Sequence, residues 1–528
     1  MNNNREGIVR GMINLTQPLG SAELGVHYLN FLSGETTYLE YFLMKIKEIR
    51  SIDHIVAFVR PQTESSVLEL LNFYSIQVIE IPEHHQIYPV GHRRILASRK
   101  WGYQNWAGCP NNYTIFDEII NMGLVGFFKE LTNPNKLAYF TPETPFIDAK
   151  STDMMIQRLG EQFEDMTFDY LCRPLPMGLS PFLIGEKSLS TLSDTEVWIP
   201  KSLIMTSQSK MPIKIRSAMG FPKLDNERRN FLLRSKRDLR RLQAWNGNFD
   251  DMKDLDEVPR EIQLEVNTQT HHEAARLPQL PPIPDMAPEQ VRSILQDAVQ
   301  IDDILFTIGD LGNLWHYSHR ETLRELLKEI RPYGVHVVFD AVDVFANLDI
   351  FRLWVDSDFD IITIRLDALG KNGEDLDVYE PTIKKLMAEF QAPDGRTVLN
   401  FEVRKYHDNW KMIHTIQKWH STYGIAFSWP GYNDYAGQLN HDIRLPVYAP
   451  RKRGPCQKLL NQMHILPNGN VTACRQDFSG KTILGNVLQQ SIQEVWDSPN
   501  FKQLRDRTKE DPLNVTPLCG ACRQSFFV

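Results

Sequence analysis

Of the six cysteines in this chain of 528 residues, four (Cys456, Cys474, Cys519 and Cys522) lie close to its end. Six thiols spread so unevenly do not make a disulfide framework for a chain of this size. The pattern C-x17-C-x44-C-x2-C reads instead as a metal centre. Thiolates of a C-x2-C pair reach one centre together, and two distant thiolates complete four-fold coordination. Spacing alone allows a four-thiolate zinc site or an iron–sulfur cluster. The pair sits in a glycine-containing turn, Leu518-Cys519-Gly520-Ala521-Cys522, which argues against four unrelated buried thiols.

Length bounds the rest. A single hydrophobic core stops growing at about 250–300 residues, so the expectation is about three domains. Apolar residues at 42% and charged residues at 23% exclude a disordered, collagen-like or coiled-coil protein. With 58 basic and 66 acidic side chains the net charge is −8, which gives no sign of a nucleic-acid partner. No apolar run approaches the ~18–20 residues needed to cross a bilayer. The opening residues, MNNNREGIVRGMINLTQPLG, lack the apolar stretch of a secretory signal. A cytoplasmic, metal-binding protein with no membrane span is expected.

The expected fold class is α/β in three sections. Residues 1–205 alternate helical patterns (Tyr38 to Ile46, SSVLELLNFY) with strand-like runs (Ile55 to Val59, IQVIEI, LAYF), as in a mainly parallel sheet covered on both faces. The turn Thr141-Pro142-Glu143-Thr144-Pro145 puts an acidic residue just past a strand, where open α/β sheets bind ligands. Residues 206–258 read as a charged helical linker. Between Lys223 and Arg241 it carries eight basic and three acidic residues with a partial apolar stripe, which reads as a solvated helix rather than a nucleic-acid patch. Residues 259–448 repeat strand then helix: EIQLEV, DILFTI, HVVFDA, DIITIRL and TVLNFEV alternate with PEQVRSILQDAV, RETLRELLKEI and YEPTIKKLMAEF. That rhythm predicts a barrel or partial barrel with active groups at the strands' carboxyl ends. Residues 449–528 form the cysteine-rich section.

Around the cysteines, Pro455-Cys456-Gln457-Lys458-Leu459, Met463 through Asp477, Leu484-Gly485-Asn486-Val487, Ser491 through Trp496, and Cys519-Gly520-Ala521-Cys522 resemble the SPASM/twitch domain that follows many radical-SAM barrels. The resemblance implies one auxiliary [4Fe–4S] cluster on the four cysteines, in preference to zinc. With every iron capped by a thiolate, such a cluster suits structural or electron-transfer roles. Upstream, Arg365-Leu366-Asp367-Ala368 and Tyr432 through Leu439 resemble segments of radical-SAM proteins. That family's C-x3-C-x2-C loop would fall on Thr270, Ala274 and Leu277, and no cysteine lies between Cys172 and Cys456. Its glutamate motif at the second strand reads Ile308-Gly309-Asp310-Leu311-Gly312, where Asp310 is the nearest substitute. The nearby His271, His272 and Glu273 read as a solvated loop rather than a separate metal site. Binding and cleavage of S-adenosylmethionine are not expected. A degenerate barrel capped by a SPASM domain resembles the spiro-SPASM family, which implies an accessory or interaction role with a protein partner the sequence does not name.

The N-terminal section, through Gly34 to Tyr41, Thr141 to Asp148, Phe168-Asp169-Tyr170 and Arg173 to Leu179, resembles sugar nucleotidyltransferases, notably cytidylyltransferases of polysaccharide synthesis. That resemblance implies a nucleotide or sugar-nucleotide partner held by the loop at Gly20, with Glu143 on Mg2+. The loop Leu19-Gly20-Ser21-Ala22-Glu23 lacks the family's double glycine and basic residue. Two functions follow as alternatives: an iron–sulfur accessory protein, or a cytidylyltransferase in the N-terminal domain.

Overall fold

The structure is a computed structural model of the chain. It describes residues 8–16, 27–82, 100, 122–141, 143–161, 178–179, 181–185, 189, 231, 233, 235–243, 258–270, 277–369, 376–390, 397–406, 409–423, 426–428, 430–439 and 456–522. The chain divides into two compact units, residues 1–95 with 113–255, and residues 96–112 with 256–528.

Among the described residues, the main sheet of the first unit has five strands: β1 (Val9–Asn14), β4 (His54–Val59), β5 (Gln77–Glu80), β6 (Lys136–Phe140) and β7 (Phe182–Ile184). A separate short hairpin pairs β2 (Phe31–Ser33) with β3 (Thr36–Thr37). The sheet order is β5-β4-β1-β6-β7, parallel except for β7 on the edge. Helix Tyr38–Lys47 starts where the Thr37 hydroxyl accepts the Glu40 N–H, and it buries Leu39, Phe42, Leu43 and Ile46 against the sheet's core. The central strand β1 went unread in the sequence, because Arg10, Gly11 and Asn14 interrupt its apolar run. The segment read as a solvated linker also enters this core: Phe231, Leu233 and Leu242 are buried with it, beside helix Lys236–Gln243. Phe231 and Leu233 precede that helix, and Arg237 and Asp238 within it are buried too.

In the second unit, β8 (Glu261–Leu264), β9 (Leu305–Ile308), β10 (Gly334–Asp340), β11 (Ile361–Arg365), β12 (Val398–Glu402) and β13 (Ala426–Ser428) lie side by side in chain order, all parallel. Helices Pro288–Ala298, Arg320–Glu329, Leu348–Val355, Glu380–Phe390 and Trp410–Tyr423 fall between successive strands. The sheet does not stop at residue 448. Strand β14 (Gln462–Ile465) pairs in parallel with β8, and β15 (Asn470–Thr472) and β16 (Ile483–Asn486) extend it antiparallel. The fold is mixed α/β on parallel sheets.

Alternation along these strands sorts the side chains. Ile262, Leu264, Phe306, Ile308, Val335, Val337, Phe339, Ile362, Ile364, Leu399 and Phe401 join the main apolar core. The residues between them, including Glu261, Gln263, Thr307, His336, Thr363, Arg365, Asn400 and Glu402, are buried as well. Because strand side chains alternate faces, one face of this sheet is apolar and the other is polar and enclosed.

Candidate functional site

At the amino end of the polar face, Lys100 inserts its ammonium group 2.5 Å from Glu261 Oε1. Gln462 donates to the other oxygen of Glu261 at 2.6 Å, and the Thr307 hydroxyl donates to Oε1 at 2.8 Å. His336 stands 3.2 Å from Thr307 Oγ1 and 2.8 Å from Thr363 Oγ1, and Asn400 links Thr363 to Ser428. Burial, reinforced by Lys100, holds the imidazole of His336 well below its ordinary range, so it is neutral. Hydrogen bonds thus run unbroken across six parallel strands and onto β14.

The carboxyl ends of the strands carry the charge. Glu265, just past β8, accepts the N–H groups of Leu311 and Gly312 at 2.8–3.1 Å. Gly312 packs against Asn267 so closely that a Cβ there would collide with its backbone oxygen. Asp310 pairs with Arg475 at 2.8 Å. Burial alone would push its carboxyl up, but Arg475, with Lys100, Arg365 and Arg404, holds it below the ordinary carboxylate range. Arg365 donates Nε to Asp340 and Nη1 to the Asp310 carbonyl, each at 2.8 Å. The Thr270 hydroxyl donates to the second oxygen of Asp340 at 3.2 Å. Arg404 donates its backbone N–H to Asp367 at 3.0 Å, and its guanidinium lies 3.6 Å from both Asp367 and Glu402. Arg475 also donates to the Tyr435 hydroxyl at 3.1 Å. Sequence reading missed this polar face as a site, because apolar residues (Leu305, Val338, Ile361 and Val398) share its alternate positions with Thr307, His336, Thr363 and Asn400.

Arg475 adjoins Cys474 and ties the barrel to the thiol group. Cys456, Cys474, Cys519 and Cys522 are all free of disulfides. Cys456 precedes helix Gln457–Asn461, and its N–H donates to Thr508 at 2.9 Å. Thr516 Oγ1 lies 3.2 Å from the Cys519 sulfur. Burial pushes the Cys456 and Cys474 thiols up, and the other thiols add to it: Cys519 acts on Cys456, while Cys456, Cys522 and Cys519 act on Cys474. The four therefore lie within one another's electrostatic reach. Among the described residues, no three His, Cys, Asp or Glu side chains are grouped tightly enough to hold a single metal ion. Lys458, half-buried beside Cys522, Cys456 and Cys474, is held below the ordinary lysine range by desolvation and by Arg475, while the three thiols pull it back up. Four thiols free of disulfides and within one another's electrostatic reach form a donor set that fits an iron–sulfur cluster, which delocalises the thiolate charge that burial disfavours.

In the first unit, Asn14 at the end of β1 donates to the Tyr139 hydroxyl on β6 at 2.9 Å. Glu143 follows β6, near enough to Tyr28 and Tyr38 that its charge adds to burial in raising both phenols. These groups gather at the carboxyl ends of the central parallel strands. Gly20, His271, His272, Glu273 and Ala274 lie outside the described residues.

Residues 456–523 match the SPASM family, an iron–sulfur cluster-binding domain, and this section is a SPASM domain. The S-adenosyl-L-methionine-dependent 2-deoxy-scyllo-inosamine dehydrogenase of Niallia circulans is 35% identical over 54 residues, covering 10% of this chain and 22% of that protein. The chain thus spans about a fifth of that relative's length. Among solved structures, BtrN in complex with AdoMet and 2-DOIA is similar at 14% identity and a TM-score of 0.37, over 50% of this chain and 93% of that one. A cytidylyltransferase from Leptospira borgpetersenii serovar Hardjo-bovis (strain JB197) is similar at 13% identity and a TM-score of 0.27, over 45% of this chain and 84% of that one. No helix among the described residues is long and apolar enough to cross a membrane.

Proposed function

We propose that this chain is a cytoplasmic iron–sulfur protein of accessory or interaction type. Cys456, Cys474, Cys519 and Cys522 hold one [4Fe–4S] cluster, and the barrel-like section does not cleave S-adenosylmethionine. The SPASM match across these cysteines carries the first part. Such a cluster supplies a store for one electron and a structural clamp. Lys458 and Arg475 balance its negative charge, and Thr516 and Thr508 orient two of the cysteines.

The second part rests on what fills the barrel's mouth. Thr270, on the first position where the thiolate loop of a radical enzyme is expected, spends its hydroxyl on Asp340. Asp310, the nearest group to receive a substrate ammonium, is neutralised by Arg475, and the adjoining N–H groups are taken by Glu265. Reconstituted, dithionite-reduced protein incubated with S-adenosylmethionine should give no 5′-deoxyadenosine above a no-protein control. Catalytic amounts would refute this half of the proposal.

A second reading rests on Glu143 with Asn14, Tyr139 and Tyr38 at the sheet's carboxyl edge: a nucleotide and Mg2+ bound there for cytidylyl transfer to a sugar. Calorimetry of CTP with Mg2+ beside Glu143→Ala decides it. Heat that the variant abolishes supports the reading, and no heat from the unaltered protein ends it.

A further inference from the structure

Backbone bonds already hold the last cysteine pair in place. In the turn Thr516-Pro517-Leu518-Cys519, the Cys519 N–H donates to the Thr516 carbonyl at 3.0 Å. Pro517 stands second in that turn, where its ring presets the φ that such turns require. The pattern continues into the pair: the Cys522 N–H donates to the Leu518 carbonyl at 3.0 Å and to that of Cys519 at 3.2 Å. Val515, buried in the main apolar core, anchors the turn, and Cys519 packs against the same core.

The turn therefore does not need the Thr516 side chain, and its hydroxyl goes elsewhere. Thr516 Oγ1 lies 3.2 Å from the Cys519 sulfur. With a free thiol, either atom can be the donor. A metal-bound thiolate carries no proton, so with the centre filled the hydroxyl must donate. Two other sulfurs receive backbone groups instead: Cys456 takes the N–H groups of Leu459 and Lys458, and Cys474 takes that of Gln476. Those bonds follow from the path of the chain, and no side-chain substitution deletes them. The bond from Thr516 depends on residue type.

We propose that Thr516 is a positioning residue that sets the reduction potential of the metal centre, acting through the Cys519 sulfur. One electron enters from a low-potential donor; no bond forms or breaks, and the hydroxyl proton stays on the Thr516 oxygen. The added negative charge spreads onto the sulfurs, which strengthens a bond donated to one of them and favours the reduced form. Cys519 is half-buried, so water replaces part of a lost donor and limits the effect. Deleting the hydroxyl should lower the reduced-to-oxidised ratio at a fixed potential about three- to tenfold, a tenfold change being 59 mV for one electron. The inference rests on the cysteines holding an iron–sulfur cluster and goes beyond it by assigning the potential to a named side chain.

The test uses the full chain with its iron site filled. It is titrated without oxygen by dithionite in the presence of redox mediators, and read by visible absorbance and by the EPR signal of the reduced form. Thr516→Val keeps the side chain's shape and deletes the donor, whereas Thr516→Ser keeps the donor. The valine variant should hold as much iron and sulfide as the parent, yet show the three- to tenfold lower ratio at the parent's midpoint. The serine variant should stay within about twofold of the parent. The proposal falls if the valine variant titrates like the parent. It also falls if the serine variant shifts as far, since the methyl group rather than the hydroxyl would then be responsible. Loss of iron from Thr516→Val alone would make the hydroxyl a requirement for assembly and would overturn the proposal too. A parent that carries zinc or no metal refutes the cluster reading itself and this proposal with it, whereas an iron-loaded parent with an unshifted valine variant refutes this proposal alone.

Discussion

Replacing Arg475 by methionine separates the SPASM domain from the barrel electrostatically while keeping much of the side chain's volume. The loss is predictable from its contacts. Arg475 is the nearest counter-charge of Asp310, which is buried, and removing one partner of a buried ion pair costs about 3–5 kcal/mol because the other charge is stranded. The Tyr435 hydrogen bond, and the guanidinium 5.8 Å from that ring's centre, account for about 1–2 kcal/mol more. With Asp310→Asn already in place, only this smaller part remains, so the double-mutant cycle should return the ion-pair part as its coupling, about 3–5 kcal/mol. Hydrogen exchange reads it where it acts, as the opening free energy of amides in β9 and β14, with iron content matched between samples. A single-variant cost below about 1 kcal/mol, or additive effects, would refute the claim that this pair clamps the two sections together.

Three further outcomes are expected. Burial pushes the Asp367 carboxyl up to about 7, against the opposing pull of Arg404 and with Glu402 reinforcing it. The folded chain therefore holds this proton more tightly than the unfolded chain. Its contribution is complete below about pH 4, is lost as pH rises to about 7, and is flat above; by linkage it amounts to at most about 4 kcal/mol, and Asp367→Asn should abolish that slope in unfolding measured from pH 4 to 8. Gly485→Ala should cost about 1–3 kcal/mol, because its new methyl would meet both γ-carbons of Val495 at 2.9 Å; an unchanged unfolding midpoint would contradict this. Trp496→Ala should cost about 3–5 kcal/mol in the same assay, since the indole is fully buried and Arg505 stacks on it at 4.2 Å.

What the sequence discloses and what it conceals have physical reasons. Continuous apolar runs such as Ile55 to Val59 and IITIR appear as strands within one to three residues of their expected bounds, because strands buried in parallel sheets need such runs. Strand β1 escapes because its place between β4 and β6, rather than its composition, makes it a strand; Gly11 leaves room there for Ile55 and Phe140. The basic density from Lys223 to Arg241 masks a stripe that anchors into the first unit through Phe231 and Leu233. The SPASM section was legible because its cysteine spacing and flanking motifs lie close together along the chain, in the stretch that matches that family. The charged mouth was not, because its members come from the ends of separate strands and only the sheet's register brings Asp340, Arg365 and Glu402 level.

The central claim, one [4Fe–4S] cluster on four cysteines, is tested most directly by metal and sulfide analysis of protein purified without oxygen. About four irons and four acid-labile sulfides per chain are predicted, with brown absorbance that Cys474→Ala and Cys519→Ala each remove. Stoichiometric zinc without visible absorbance, or iron content unchanged by both substitutions, would contradict it.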